Sequence, residues 1–229
     1  MLLESLMTLP VALPVLLWAV YHYYKDRHLP EPLGNLALCF LLGIGAAWLS
    51  RGLYTSLEWF DLRLDAVALA EHDLGALLCY ALLAIGPIEE LSKLIPFLVV
   101  ALRFDAFDDA MDGIVYASFI ALGYAAIENA QYLAFLTPVE ALARGFAGPV
   151  VHIAFASIWG YMIGSAFLSG RSILLPTLAG LLLSSAAHGI YDFFALAHPE
   201  LSLAGAGVIV TGLWVWRLVV IRRLNSPHR

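Results

Sequence analysis

Charged side chains inside long apolar runs are costly to hold in a bilayer and by default mark working sites. This sequence concentrates them at four points. The run AIGPIEELSKLIPF carries Glu89, Glu90 and Lys93. On a helix Glu89 and Lys93 are an i,i+4 pair and Glu90 and Lys93 an i,i+3 pair, so both share a face. Lys93 can then neutralise one carboxylate and leave the other for proton work. An ion pair that merely staples two helices needs one glutamate, and here there are two. Gly86-Pro87, just ahead of the pair, is expected to bend the helix and free backbone groups.

The run DDAMDGIVYASFIALGYAAIENAQYL sets Glu128 and Asn129 deep in apolar sequence, with Asp109 and Asp112 at its entrance. Those two aspartates are equally well explained as favourable anions in a first helical turn. RGFAGPVVHIAFASIWG places His152 inside the next run and Arg144 just outside it, and SSAAHGIYDFF sets His188 and Asp192 on one helix face. A lone buried histidine is more often hydrogen-bonded core than a ligand. Two histidines, three glutamates and an aspartate amid few other buried charges point instead to a metal site, or a similar water-activating site. The expected metal ligands are Glu128, His152 and His188. Water held there and deprotonated by a further glutamate would attack a carbonyl, giving peptide hydrolysis, with Lys93, Asn129 or Arg144 as electrophilic helpers and Asp112 and Asp192 in support.

These residues must be positioned by membrane helices. Of 229 residues, 62% are hydrophobic and only 13% charged, against about 25% charged in a soluble domain. Seven apolar segments are long enough for helices in a bilayer: Leu2–Tyr24, Leu33–Ser50, Leu74–Leu102, Ala110–Phe135, Ala147–Leu168, Ile173–Ala197 and Leu201–Ile221. They are rich in Ala and Leu and lack period-two alternation, which disfavours strands. The predicted fold is an all-α polytopic bundle of about seven transmembrane helices in one integral membrane domain, residues 1–229. The start MLLESLMTLP lacks a basic stretch and carries Glu4, so the first segment is expected to remain as a membrane helix.

Loop charges orient the bundle. With the N-terminus outside, Lys25, Arg27, Arg103, Arg171, Arg222, Arg223 and Arg229, with Arg217 near the last helix end, fall inside, against Arg51, Arg63 and Arg144 outside. The excess favours N-terminus outside and C-terminus inside. Gly43 with Ala47 and Gly160 with Gly164 have the spacing that lets helix backbones approach. Cys39 and Cys79 lie in apolar segments without metal or disulfide spacing. Nucleic acid is excluded as a partner, because a chain of net charge −6 has no basic stripe.

The order of these motifs resembles the PrsW family of intramembrane proteases. Glu-Glu-x-x-Lys (Glu89, Glu90, Lys93) is followed by Asp-x-x-Asp-Gly-x-x-Tyr (Asp109, Asp112, Gly113, Tyr116) running into Glu128-Asn129, then by Arg144 with His152, and His188 with Asp192. The stretch YKDRHLPEP from Tyr24 to Pro32 is similar to the family's first loop. The resemblance spans most of the chain. It implies a protease in a bacterial-type cell membrane that cuts membrane-anchored protein substrates, anti-sigma factors among them, with Glu89, Glu90, Glu128, His152 and His188 forming one site and Asp192 supporting His188. The cofactor it implies is a divalent metal, zinc, with a metal-free glutamate-activated water as the alternative. A proton-coupled transporter or channel using the same cluster is the competing reading, disfavoured by the missing internal repeat. An iron-binding bundle is a third, disfavoured by the absence of paired Glu-x-x-His motifs. At about 1.5 Å per residue, Glu90 is expected deeper than Glu128, His152 and His188 unless its helix bends, begins later or tilts.

Overall fold

The computed structural model describes residues 2–25, 30–133, 135–197 and 199–224, with side chains described except at 2–8, 10, 25 and 199–206. Among the described residues all regular structure is helical. The helices are α1 (Leu2–Lys25), α2 (Leu33–Ser56), the short α3 (Ala66–His72), α4 (Leu74–Tyr80), α5 (Gly86–Val99), α6 (Ala110–Tyr132), α7 (Pro138–Leu168), α8 (Leu174–Ala197) and α9 (Pro199–Leu224). A π-helical turn, Ala81–Ile85, joins α4 to α5 as one rod. Among the described residues, five helical segments are long and apolar enough to cross a membrane: Leu33–Phe60, Leu74–Arg103, Ala110–Tyr132, Pro138–Leu168 and Leu174–Ala197. A shorter apolar stretch, Val11–Tyr24, lies in α1. The protein is an integral, multi-pass membrane helical bundle. Its outer face suits lipid: Leu174, Leu178 and Leu182 recur every four residues along α8 and are all exposed.

α6 is the axis of the bundle. Every residue from Met111 to Ala125 is buried, as expected of a helix apolar on all sides. It is gripped by α2 and α7 through small residues. A side chain at Gly43 or Gly123 would collide with backbone across the α2–α6 contact, and one at Gly113 or Gly160 across the α6–α7 contact. Gly164 also faces Gly113.

Several placements differ from the sequence expectation. α7 begins at Pro138, not Ala147, because Thr137 and Glu140 form a capping box and Pro138 takes the first turn. Arg144 is therefore inside a helix rather than in a loop. α2 runs on to Ser56, and the segment after it holds a 3-10 turn, Leu57–Phe60, and α3, N-capped by Asp65. Arg217, counted above as a loop charge near a helix end, is fully buried inside the bundle. The motif residues Asp26, Arg27 and His28, the Lys25 side chain and Arg229 lie outside the described set. Glu31 of the same motif is buried and accepts a hydrogen bond from the Tyr116 hydroxyl.

Just ahead of Gly86-Pro87, where a bend is expected, stands the π-turn Ala81–Ile85. Pro87 has no N–H to donate, and its ring crowds the carbonyl one turn back, so the hydrogen-bond ladder shifts by one residue ahead of it. Gly86 and Gly189 then let α5 and α8 touch: a side chain at Gly86 would strike the Ser185 carbonyl, and one at Gly189 the backbone at Ala81 and Leu82. This contact carries Glu89 and Glu90 to His188.

Candidate active site

The cluster assembles around Glu90, which is completely buried. Its Oε1 accepts from Lys93 Nζ at 2.5 Å and faces His188 Nδ1 at 2.8 Å. Its Oε2 accepts from the Trp159 indole N–H at 3.0 Å. Both oxygens are thus engaged. A carboxylate accepts, so His188 Nδ1 carries the proton, and the Nε2 lone pair of the neutral ring faces the other way. Phe155 stacks on the ring with centroids 4.7 Å apart and holds its plane.

On that other side stand two more carboxylates. Glu89 Oε2 and Asp192 Oδ2 each lie 3.5 Å from His188 Nε2. Both oxygens are buried and have no hydrogen-bond partner among the described residues. Three acceptor atoms therefore converge with no donor among them, an arrangement that calls for a cation, a proton or a water. The other oxygen of Glu89 accepts from the Tyr54 hydroxyl at 3.3 Å.

His152 links this centre to Glu128. Lys93 Nζ donates to His152 Nδ1 at 3.2 Å, since an ammonium can only donate. His152 Nε2–H therefore donates to Glu128 Oε2 at 2.6 Å. Arg144 Nη2 donates to Glu128 Oε1 at 2.9 Å, and its guanidinium stacks over Tyr132 at 3.7 Å. The His152 and His188 rings are 5.3 Å apart.

A cavity of about 780 Å³ opens over the cluster, lined by Glu89, Glu128, Arg144, His152, His188 and Asp192 among others, with Tyr54 and Arg63 to Val67 at its rim. It lies at the end of the bundle where α2, α6 and α8 finish and α7 begins. Glu90 and Lys93 form the sealed floor behind it.

A ligand atom from each of Glu89, His152 and His188 falls within 4.8 Å of the others, and all three residues are buried. These residues could hold a metal ion, and the orphaned Glu89 and Asp192 oxygens fit one. Glu128 is not in that group: its two oxygens are taken up by His152 and Arg144. The trio differs from the set read from the sequence by one residue, Glu89 in place of Glu128.

Glu89, Glu90, Lys93, Glu128, His152, His188, Asp192 and Arg144 come together as one site. Two expected members do not. Asp112 caps the opposite end of α6, accepting from the Asp108 and Asp109 N–H groups at 2.8 and 2.7 Å, about 24 Å along the helix from Glu128. Asn129 is buried against Gly148 of α7, its amide without a partner. Two contributors escaped sequence reading. Trp159 stands two turns after His152 on the same helix face, a usable signal. Tyr54 lies beyond the end expected for α2, and no pattern marked it.

A buried Glu–Glu–Lys triplet, two histidines and two orphaned carboxylate oxygens thus meet beneath one cavity of the helical bundle. The chain matches the model of the PrsW family of intramembrane metalloproteases over residues 31–221. It belongs to that family, and it is an intramembrane protease. It is 29% identical to the Protease PrsW of Geobacillus kaustophilus over 91% of this chain and 88% of that protein. It is 28% identical to the Protease PrsW of Oceanobacillus iheyensis over 93% of each chain, and 28% identical to that of Bacillus subtilis over 77% of each. No solved structure matches the chain significantly.

Proposed function

We propose that this protein hydrolyses a peptide bond of a membrane-anchored protein, anti-sigma-factor-like, within the cavity above His188. The observation that carries the reading is the convergence of His188 Nε2, Glu89 Oε2 and Asp192 Oδ2, with Glu90 buried behind the imidazole at 2.8 Å. Glu90 fixes the tautomer and plane of His188. Lys93 neutralises Glu90 and orients His152. Glu89, the carboxylate with a free oxygen at the cavity, serves as general base: it takes a proton from water as the water oxygen bonds to the carbonyl carbon. The same proton then passes to the leaving nitrogen as the carbon–nitrogen bond breaks. Arg144, partly exposed at the cavity, faces the carbonyl oxygen or the substrate's chain.

Glu89, His152 and His188 would hold a divalent metal, zinc by the chemistry of the donors; Glu89 would then be a ligand, and the orphaned oxygen of Asp192 beside it would take the base's place. Such an ion supplies Lewis acidity and lowers the pKa of bound water toward neutrality. His152 has both nitrogens engaged, so ligation through it requires release of Lys93 or Glu128. A glutamate-only mechanism would use the same Glu89 and the same water without that release. The transporter reading finds no support beside the family assignment.

We further propose a single membrane domain of seven spans, α1 and α9 included, with the N-terminus outside, so that the cavity opens toward the outer face. Cysteine labelling tests this: a cysteine at Thr55 should be accessible from outside and one at Ser172 from inside, and the reverse pattern overturns it. The chemistry is tested by reconstituting wild type, Glu89→Gln and His188→Ala with single-pass substrates. Cleavage by wild type alone supports the reading, and cleavage retained in either variant rejects it.

A further inference from the structure

A second buried polar cluster lies on the far side of α6 and α7, and hydrolysis makes no use of it. Arg217 of α9 is fully buried. Its Nε donates to Ser157 Oγ at 2.8 Å, and its Nη2 to Ser118 Oγ at 3.1 Å and His22 Nδ1 at 3.0 Å. Among the described residues no carboxylate lies within ion-pair distance of it. Arginine does not lose its proton in proteins, so the charge cannot be removed by titration.

The atoms left over are all donors. Arg217 Nη1, His22 Nε2 and Trp18 Nε1 are buried and have no partner among the described residues. Because a guanidinium only donates, His22 Nδ1 must accept, which leaves Nε2 carrying the ring proton. One unneutralised cation and three orphaned N–H donors, with no acceptor among them, are the complement of an anion. A role as a mere staple between α1, α6, α7 and α9 would account for the serine and His22 Nδ1 contacts but not for these three.

The position selects the kind of anion. Arg217 stands seven residues before the end of α9, and His22 three before the end of α1, so the cluster lies about 5–10 Å inside the helix ends. Its cover is aromatic: Trp214 lies 5.2 Å from the guanidinium and meets Trp18 edge-on at 5.3 Å. Amphipathic rings are typical of the headgroup boundary, and Arg223, exposed in the last turn of α9, adds positive potential at that end. We propose that Arg217, His22 and Trp18 bind the phosphate group of an acidic phospholipid, admitted by rotation of Trp18 and Trp214.

The proposal is independent of the protease reading and is tested on binding. The full chain, delipidated in a neutral detergent, is titrated with phosphatidylglycerol, with phosphatidylcholine or with inorganic phosphate, and followed by native mass spectrometry and thermal unfolding. Phosphatidylglycerol should be retained at one molecule per chain and raise Tm by several degrees, with phosphatidylcholine at least tenfold weaker. Arg217→Gln should lose both effects. Trp18→Phe, which keeps the ring and deletes one donor, should weaken retention several-fold while the protein stays folded. A response to inorganic phosphate that matches or exceeds the response to phosphatidylglycerol would overturn the lipid assignment in favour of a soluble anion. Equal phosphatidylglycerol retention by wild type and both variants would overturn the site.

Discussion

His188 Nδ1 lies 2.8 Å from Glu90 Oε1, inside a pocket where Glu90 is wholly buried and also held by Lys93 and Trp159. The buried carboxylate sets which imidazole nitrogen faces the cavity. Glu89, its neighbour in sequence, points an unpartnered oxygen at the opposite nitrogen. Adjacent glutamates on one helix thus take different positions, one behind the histidine and one in front.

Glu90→Gln should lower activity by about 10–100-fold, the usual effect of removing a carboxylate that orients a working histidine. It also leaves Lys93 buried without a counter-charge, a loss of about 3–5 kcal/mol. Adding Lys93→Met should recover much of the unfolding midpoint but no activity. Recovery of both would show that Glu90 acts only on stability.

Glu89→Gln should separate function from folding in the opposite sense. Its Oε2 makes no hydrogen bond in the fold, so the midpoint should stay level or rise, while cleavage falls by about 10²–10⁴-fold for loss of a general base. A variant that unfolds, or one that keeps its activity, would remove Glu89 from that role.

Trp159→Phe keeps an aromatic ring, smaller than the indole that packs edge-on against Phe97 at 5.1 Å, and deletes the N–H that holds Glu90 Oε2. Activity should drop roughly tenfold with the fold intact. Kinetics on the purified variant, beside its melting curve, decide the matter.

Metal content distinguishes the two ligand sets. Wild type should bind one zinc per chain, and Glu89→Ala and His188→Ala should lose it. Glu128→Gln should keep it, because Glu128 is committed to Arg144 and His152. Zinc lost from Glu128→Gln and kept by Glu89→Ala would restore the ligand set read from the sequence.

Much of this was legible before any coordinates. Long apolar runs gave the helical membrane bundle, and charges stranded within them pointed to Glu89, Glu90, Lys93, Glu128, His152 and His188. What escaped depended on contacts between helices. Glu89 faces His188 while Glu128 is held by His152 and Arg144, an arrangement set where α5 and α8 touch at Gly86 and Gly189, which no spacing within one helix encodes. Asp112 shared a family motif with the site residues, yet it caps the far end of α6. Arg217 looked like a loop charge by its nearness to a chain end and is instead buried among four helices.

The Gly86–Gly189 contact makes its own prediction. Gly189→Leu would force the α8 side chain into the backbone at Ala81 and Leu82, at a cost of about 1–3 kcal/mol, and would move His188 from both glutamates. Cleavage should be abolished even where membrane insertion and helix content are normal. Full activity in a folded Gly189→Leu protein would show that this contact does not set the site.

The most direct test is cleavage of a reconstituted single-pass membrane substrate by the purified protein, comparing wild type with Glu89→Gln and His188→Ala at matched folded concentrations. A defined cut made by wild type and lost in both variants is expected. A wild-type protein that leaves every such substrate intact, or variants that cut as fast as wild type, would contradict water activation between Glu89 and His188.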